Sequence, residues 1–190
     1  MEQAVQAFGP TDALASGAAG NFLQPAVGLS AHAFKTVIDI DLIGTFTVFR
    51  AGFDHLRKPG VALLAITAPQ AEMVMPMQAH ASAAKAGINM LVQCLALEWG
   101  AAGVRVNALS PGYVRATEGT DRMTAGNPKA FEAMIPMKRM AEVAEIAEAA
   151  RYLCSDAARY VTGTIMRADG GATLGNAAMD CLKPLGRAKP

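Results

Sequence analysis

Residues 61–66 read Val61-Ala62-Leu63-Leu64-Ala65-Ile66, an unbroken apolar run with Pro59-Gly60 just ahead of it. A short run with no polar alternation belongs to a strand covered on both faces, as in a parallel sheet. Two other segments read as strands from the breakers that end them. Val104 to Ser110 (VRVNALS) stops at Pro111-Gly112, and Val161 to Asp169 (VTGTIMRAD) stops at Gly170-Gly171. A shorter strand is expected at Asp12-Ala-Leu-Ala, leading into the small-residue turn Ser16 to Gly20. Between these strands the period changes. Ser30 caps a pattern that puts Phe34, Val37, Ile38, Asp41, Thr45 and Val48 on one stripe, which predicts a helix over about 30–57. Further helices are expected over 77–99 and 141–155, with the last turns of another at 2–8. Residues 113–137, rich in charge, Gly and Pro, are expected to be an irregular functional loop or lid. Alternation of this kind predicts an α/β fold, a three-layer parallel sheet whose first strand, near Asp12, is left as an exposed edge.

The chain has 190 residues, 52% hydrophobic and 17% charged, enough for one domain over 1–190 and too apolar for a disordered segment. A net charge of +1 argues against nucleic acid or anionic lipid as a partner. The apolar stretch from Ala86 to Leu97 is too short to span a membrane. The N-terminus lacks a basic and apolar leader, and Arg187-Ala188-Lys189-Pro190 departs from the peroxisomal tripeptide, so a cytoplasmic location is expected. Cys94, Cys154 and Cys181 are far apart and suggest reduced thiols, with Cys94 and Cys154 as core filler and no metal site.

Two charges stand where burial is expected. Asp39 shares a side with Lys35, but Asp41 lies on the apolar stripe, where an acid is either bonded to nearby backbone or tuned for catalysis. Lys85, Asn89 and Gln93 form a narrow polar stripe on the otherwise apolar 77–99 helix. Lys85 sits near that helix's N-terminal end, where the dipole opposes a cation unless an anion offsets it. A dinucleotide-binding sheet begins with a strand, a G-x-G-x-x-G turn and a helix; no such unit precedes Asp12, so the first βαβ half is expected to be missing.

The turn SGAAGNF at 16–22, VIDIDLIGTF at 37–46, the strand end ITA, HASAAKAGINML from His80, RVNALSPG from Arg105 and VTGTIMRADGG from Val161 together resemble the short-chain dehydrogenase/reductases. Within that family, IDIDLIGTF, MQAHASAAKAG, LALEWG and SPGYVRATEG are most similar to the 2,4-dienoyl-CoA reductases of the peroxisomal type and their bacterial relatives. The resemblance implies a Rossmann-like sheet lacking its first βαβ half. It also implies an NAD(P)H-dependent oxidoreductase that reduces 2,4-dienoyl-CoA in unsaturated fatty acid breakdown. The family's usual tyrosine, four residues before the lysine, corresponds to Ala81, and its serine to Ala68. Neither alanine can donate a proton, which disfavours a ketoreductase-type dehydrogenase. Asp41 replaces the family's asparagine, and the resemblance implies that Asp41 and Lys85 act with a bound water. His80 is either a third member of the site or a polar helix cap. Contacts to NADP(H) are implied for Ala18, Ala19, Gly20, Thr67, Lys85, Pro111, Gly112, Val114 and Thr117, the last beginning the substrate loop. The implied partners are an acyl-CoA substrate and further copies of the chain, packed through the 30–57 and 77–99 helices. With no helix N-terminus to receive the pyrophosphate, the chain as written is expected to bind NADPH weakly or not at all. The competing reading is a non-catalytic oligomerisation module.

Overall fold

A computed structural model describes residues 1–124 and 127–174; Cys181 and the C-terminal tripeptide lie outside the described residues. Strands β1 (Ala13–Ser16), β2 (Val61–Ile66), β3 (Val104–Pro111) and β4 (Ile165–Ala168) form one parallel sheet in the order β1-β2-β3-β4. Among the described residues β1 pairs only with β2, so it is the expected edge. The helices are α1 (Glu2–Phe8), α2 (Ala31–Ile38), α3 (Gly44–Gly52), α4 (Ala79–Trp99), α5 (Glu118–Thr124), α6 (Pro128–Met134) and α7 (Val143–Cys154). One face of the sheet is covered by α3 and α4, where Phe49, Ile88 and Val92 pack with Leu63, Ala65 and Val106. The other is covered by α7, whose Leu153 meets Leu64 and Leu109. Burial on both faces explains the unbroken apolar run of β2.

The structure departs from the sequence reading at several joints. The helix expected over 30–57 begins as predicted, with Ser30 Oγ accepting from the Ala33 N–H, but it is interrupted by a π-turn over Asp39–Ile43 and α3 ends at Gly52. Amphipathic spacing does not register a single widened turn, because the apolar stripe continues across it. The helix expected from residue 77 starts at Ala79, since Met77 has a positive φ of 64° and its carbonyl accepts instead from the Gln24 N–H.

Residues 113–137 are not irregular throughout. They contain α5 and α6, the latter capped by the Asn127 side chain with Pro128 at its start. The last strand is shorter than 161–169, because the Asn107 side chain takes over part of the ladder. Its amide donates to the Val161 carbonyl at 2.9 Å and accepts from the Thr164 N–H at 3.1 Å. Cys94 is exposed on α4 and not core filler, whereas Cys154 is half-buried and burial pushes its thiol up. Among the described residues no helix is long and apolar enough to cross a membrane.

Candidate active site

A cavity of about 730 Å³ opens at the carboxyl ends of β2 and β3, the side on which open α/β sheets take their ligands. Its walls come from the segments that follow β1, β2 and β3, with α5 and α6 opposite. The π-turn aims Asp41 into it, a recurrent use of that conformation. The Asp41 side chain is 1% exposed; Oδ1 accepts from the Gly20 N–H at 2.7 Å, and Oδ2 lies 3.1 Å from Lys85 Nζ. That second contact is an ion pair without hydrogen-bond alignment, so Oδ2 has no hydrogen-bond donor among the described residues. Lys85 Nζ also donates to the Ile66 carbonyl at 3.1 Å. Asp41 is thus the anion that a lysine near the start of α4 requires. Thr67 is buried at the end of β2, and its hydroxyl donates to the Lys85 carbonyl at 3.4 Å, tying strand end to helix.

His80 is neither a solvated cap nor part of the cavity wall. It is wholly buried, stacked on Phe22 with ring centroids 4.3 Å apart, and neither ring nitrogen has a partner among the described residues. Burial pushes its imidazole below the ordinary value, while the Phe22 backbone and the Asp41 charge pull the other way. One residue earlier in the loop, Asn21 Nδ2 donates to Gln78 Oε1 at 2.8 Å, so the segment after β1 is fastened to the start of α4.

Of the residues singled out from the sequence, Ala19, Gly20, Asp41, Thr67, Lys85, Pro111, Gly112, Val114 and Thr117 line this one cavity. Ala18 does not; it is exposed on the turn after β1. Ala68 and Ala81 line the cavity as well. Gly112 has a packing reason to be glycine, because a Cβ there would stand 2.7 Å from the Asp169 Cα. Asp169 itself was read only as a strand end. Burial would raise its pKa, but hydrogen bonds from Thr173 Oγ1, Thr173 N–H and Gly171 N–H outweigh burial and hold the carboxyl below its usual range. The sequence reading also passed over Met73, Met75, Tyr113, Met123 and Met134, which supply much of the apolar wall. The Met73-Val-Met75-Pro-Met77 cluster after β2 and the tyrosine directly after Pro111-Gly112 were the available signals.

A family model described as enoyl-(acyl carrier protein) reductase matches residues 1–173. The chain is 43% identical over 179 residues to the peroxisomal 2,4-dienoyl-CoA reductase [(3E)-enoyl-CoA-producing] of Pongo abelii, covering 92% of this chain and 61% of that protein. Thus it spans about three fifths of the length of such curated relatives. Among solved structures, a short chain dehydrogenase from Bacillus anthracis is 36% identical with a TM-score of 0.79, over 90% of this chain and 68% of that one. A gluconate 5-dehydrogenase from Burkholderia cenocepacia, solved with NADP and tartrate, is 25% identical with a TM-score of 0.83, over 92% of this chain and 69% of that one.

Proposed function

The chain belongs to the short-chain dehydrogenase/reductase family, and from that membership we propose that its protein reduces 2,4-dienoyl-CoA thioesters with NADPH. The observation that carries the reading is the buried Asp41–Lys85 pair, 3.1 Å apart, in a cavity where Ala68 and Ala81 leave no side-chain proton donor at the ketoreductase positions. The residues present fit a nicotinamide riboside. Lys85 donates one N–H to the Ile66 carbonyl and is ion-paired with Asp41, which leaves N–H groups for a ribose hydroxyl. Ala19, Gly20, Pro111, Gly112, Val114 and Thr117 offer the small or apolar surface that a ring face needs. When bound, the nicotinamide supplies the hydride equivalent for the far end of the diene.

Reduction of a conjugated thioester gathers negative charge on the thioester oxygen, and the balancing proton ends on carbon, so water suffices as its source. Lys85 places a fixed positive charge beside that oxygen. The unsatisfied Oδ2 of Asp41 is the acceptor that orients the water, and the Gly20 N–H keeps the carboxylate from turning away. The methionine-lined wall suits the acyl chain. Exposed apolar residues on the neighbouring helices, Ile43 and Phe46 beside Met90 and Leu97, support assembly into a homo-oligomer through those helices. The test is loss of NADPH absorbance with a 2,4-dienoyl-CoA. Asp41→Asn is expected to slow turnover by about 10²-fold or more without unfolding the protein. Full turnover in that variant would return Asp41 to a structural role.

A further inference from the structure

Asp41 is held from two directions. Its carboxylate is fixed by Gly20, and its backbone is fixed by a pair of hydroxyls: Thr45 Oγ1 donates to the Asp41 carbonyl at 2.7 Å, and Ser16 Oγ donates to Thr45 Oγ1 at 3.1 Å. A threonine bonding back to the carbonyl four residues earlier is common on helices and tends to bend them. Here Thr36 and Thr47 do the same to His32 and Ile43, but both of those bonds are exposed. Thr45 differs because it is 2% exposed, its bond falls on the one carbonyl inside the π-turn that belongs to Asp41, and its hydroxyl is anchored to the last residue of β1.

A widened turn satisfies backbone groups less regularly than an α-helix, and here the Gly44 N–H is shared between the Asp39 and Asp41 carbonyls. The Thr45 hydroxyl gives the Asp41 carbonyl a second, buried donor. The Ser16 hydroxyl then sets where it points, so the sheet edge, the start of the loop that carries Gly20 and the carbonyl of Asp41 are joined in one buried chain.

We propose that Thr45 and Ser16 are positioning residues: their hydroxyl pair fixes the π-turn so that the Asp41 carboxylate meets both Gly20 and Lys85. The proposal rests on the catalytic reading of Asp41 given above, and its test separates the two. Thr45→Val keeps shape and burial and removes the hydroxyl. It should lower kcat by about 10-fold, the scale of a displaced catalytic group, with little change in KM. Thr45→Ser should restore most of the rate, Ser16→Ala should give a smaller loss in the same direction, and Thr36→Val, which deletes an equivalent exposed bond outside the π-turn, should change nothing. In an Asp41→Asn background Thr45→Val should cause no further loss, since the group it positions is gone. An additive loss there would overturn the proposal while leaving Asp41 catalytic. A fully active Asp41→Asn would instead overturn the catalytic reading. Hydrogen exchange at the Gly20 amide is a readout that does not need turnover. It should speed up in Thr45→Val and not in Thr36→Val, and unchanged exchange in Thr45→Val would also overturn the proposal.

Discussion

Lys85→Met would leave the Asp41 carboxylate buried and without an ion-pair partner among the described residues, because Lys85 is the cation paired with it there and both side chains are almost wholly enclosed. Breaking such a pair from one side typically costs about 3–5 kcal/mol, while replacing both partners by apolar groups is often neutral. Lys85→Met is therefore expected to lower the free energy of unfolding by about that amount in urea titration, and Asp41→Leu/Lys85→Met to recover much of it. Recovery of stability with no recovery of turnover would separate the pair's structural from its chemical role. His80 is a second buried ionisable group with a sign that can be worked out. Its folded-state pKa lies below the ordinary 6.5, so below that pH the unfolded chain binds more protons than the folded one. The stability linked to His80 is complete above 6.5 and is lost as the pH falls. Melting temperatures should drop between pH 7.5 and 5.5, and His80→Phe, which keeps the stack on Phe22, should flatten that slope. An unchanged slope would mean that other groups set it. The sequence exposed Asp41 as a misplaced polar group by its position on an apolar stripe, whereas His80 read as either a third member of the site or a polar helix cap. It could not show that His80 points away from the cavity, since the direction of one side chain at a helix terminus depends on what packs against it.

The elements around the site carry their own expectations. The start of α7 is closed by a capping box between Glu142 and Glu145, reinforced by a two-pronged contact from Arg139 to Glu145. Hydrogen bonds from Arg139 and the Glu142 backbone bring the Glu145 carboxyl from 4.5 down to about 2. Because this is a depressed acid, its contribution is present above pH 4.5 and is lost as the pH falls toward about 2. Glu145→Gln should remove that acid-limb dependence of the melting temperature while leaving the fold intact. At the end of β3, Gly112→Ala would push a methyl group against the backbone of Asp169, which cannot retreat as a flexible side-chain tip could. The turn at Pro111-Gly112 and the bonds from Thr173 to Asp169 should both shift, lowering the melting temperature. An unchanged melting temperature in Gly112→Ala would show that the turn has slack. Strand positions were legible because β2 is buried on both faces and so has no polar alternation, while β3 is bounded by Gly103 and by the breaker Pro111-Gly112. The π-turn, α5 and α6 were not, because a single inserted residue or a seven-residue helix leaves too short a trace in apolar spacing.

Across the molecule, β3 is joined to the C-terminal end of α7 by a charge that reading along the chain did not isolate. Arg105 is 8% exposed, and its guanidinium donates to the Leu153 carbonyl at 2.8 Å and the Ser155 carbonyl at 3.2 Å. A cation at a helix C-terminus is favourable, and these bonds satisfy carbonyls that the helix itself leaves open. Arg105→Met should lower the free energy of unfolding by about 2–3 kcal/mol, the range for bonds to a charged group whose loss strands buried acceptors. A change near zero in urea titration would mean that water replaces the guanidinium. By itself the sequence determined the layered α/β class, the central strands and the two buried charges, because each is written in local composition: apolar runs, breakers, and a charge set among apolar neighbours. Only the tertiary structure decided that Asp41 and Lys85 face each other, that Gly20, Thr45 and Ser16 hold Asp41 in place, that Ala18 stands outside the cavity, and that methionines from separate elements share one wall. Those relations join residues far apart in the chain, so they depend on the distances and angles created by packing helices on a sheet, which no local pattern of residues contains.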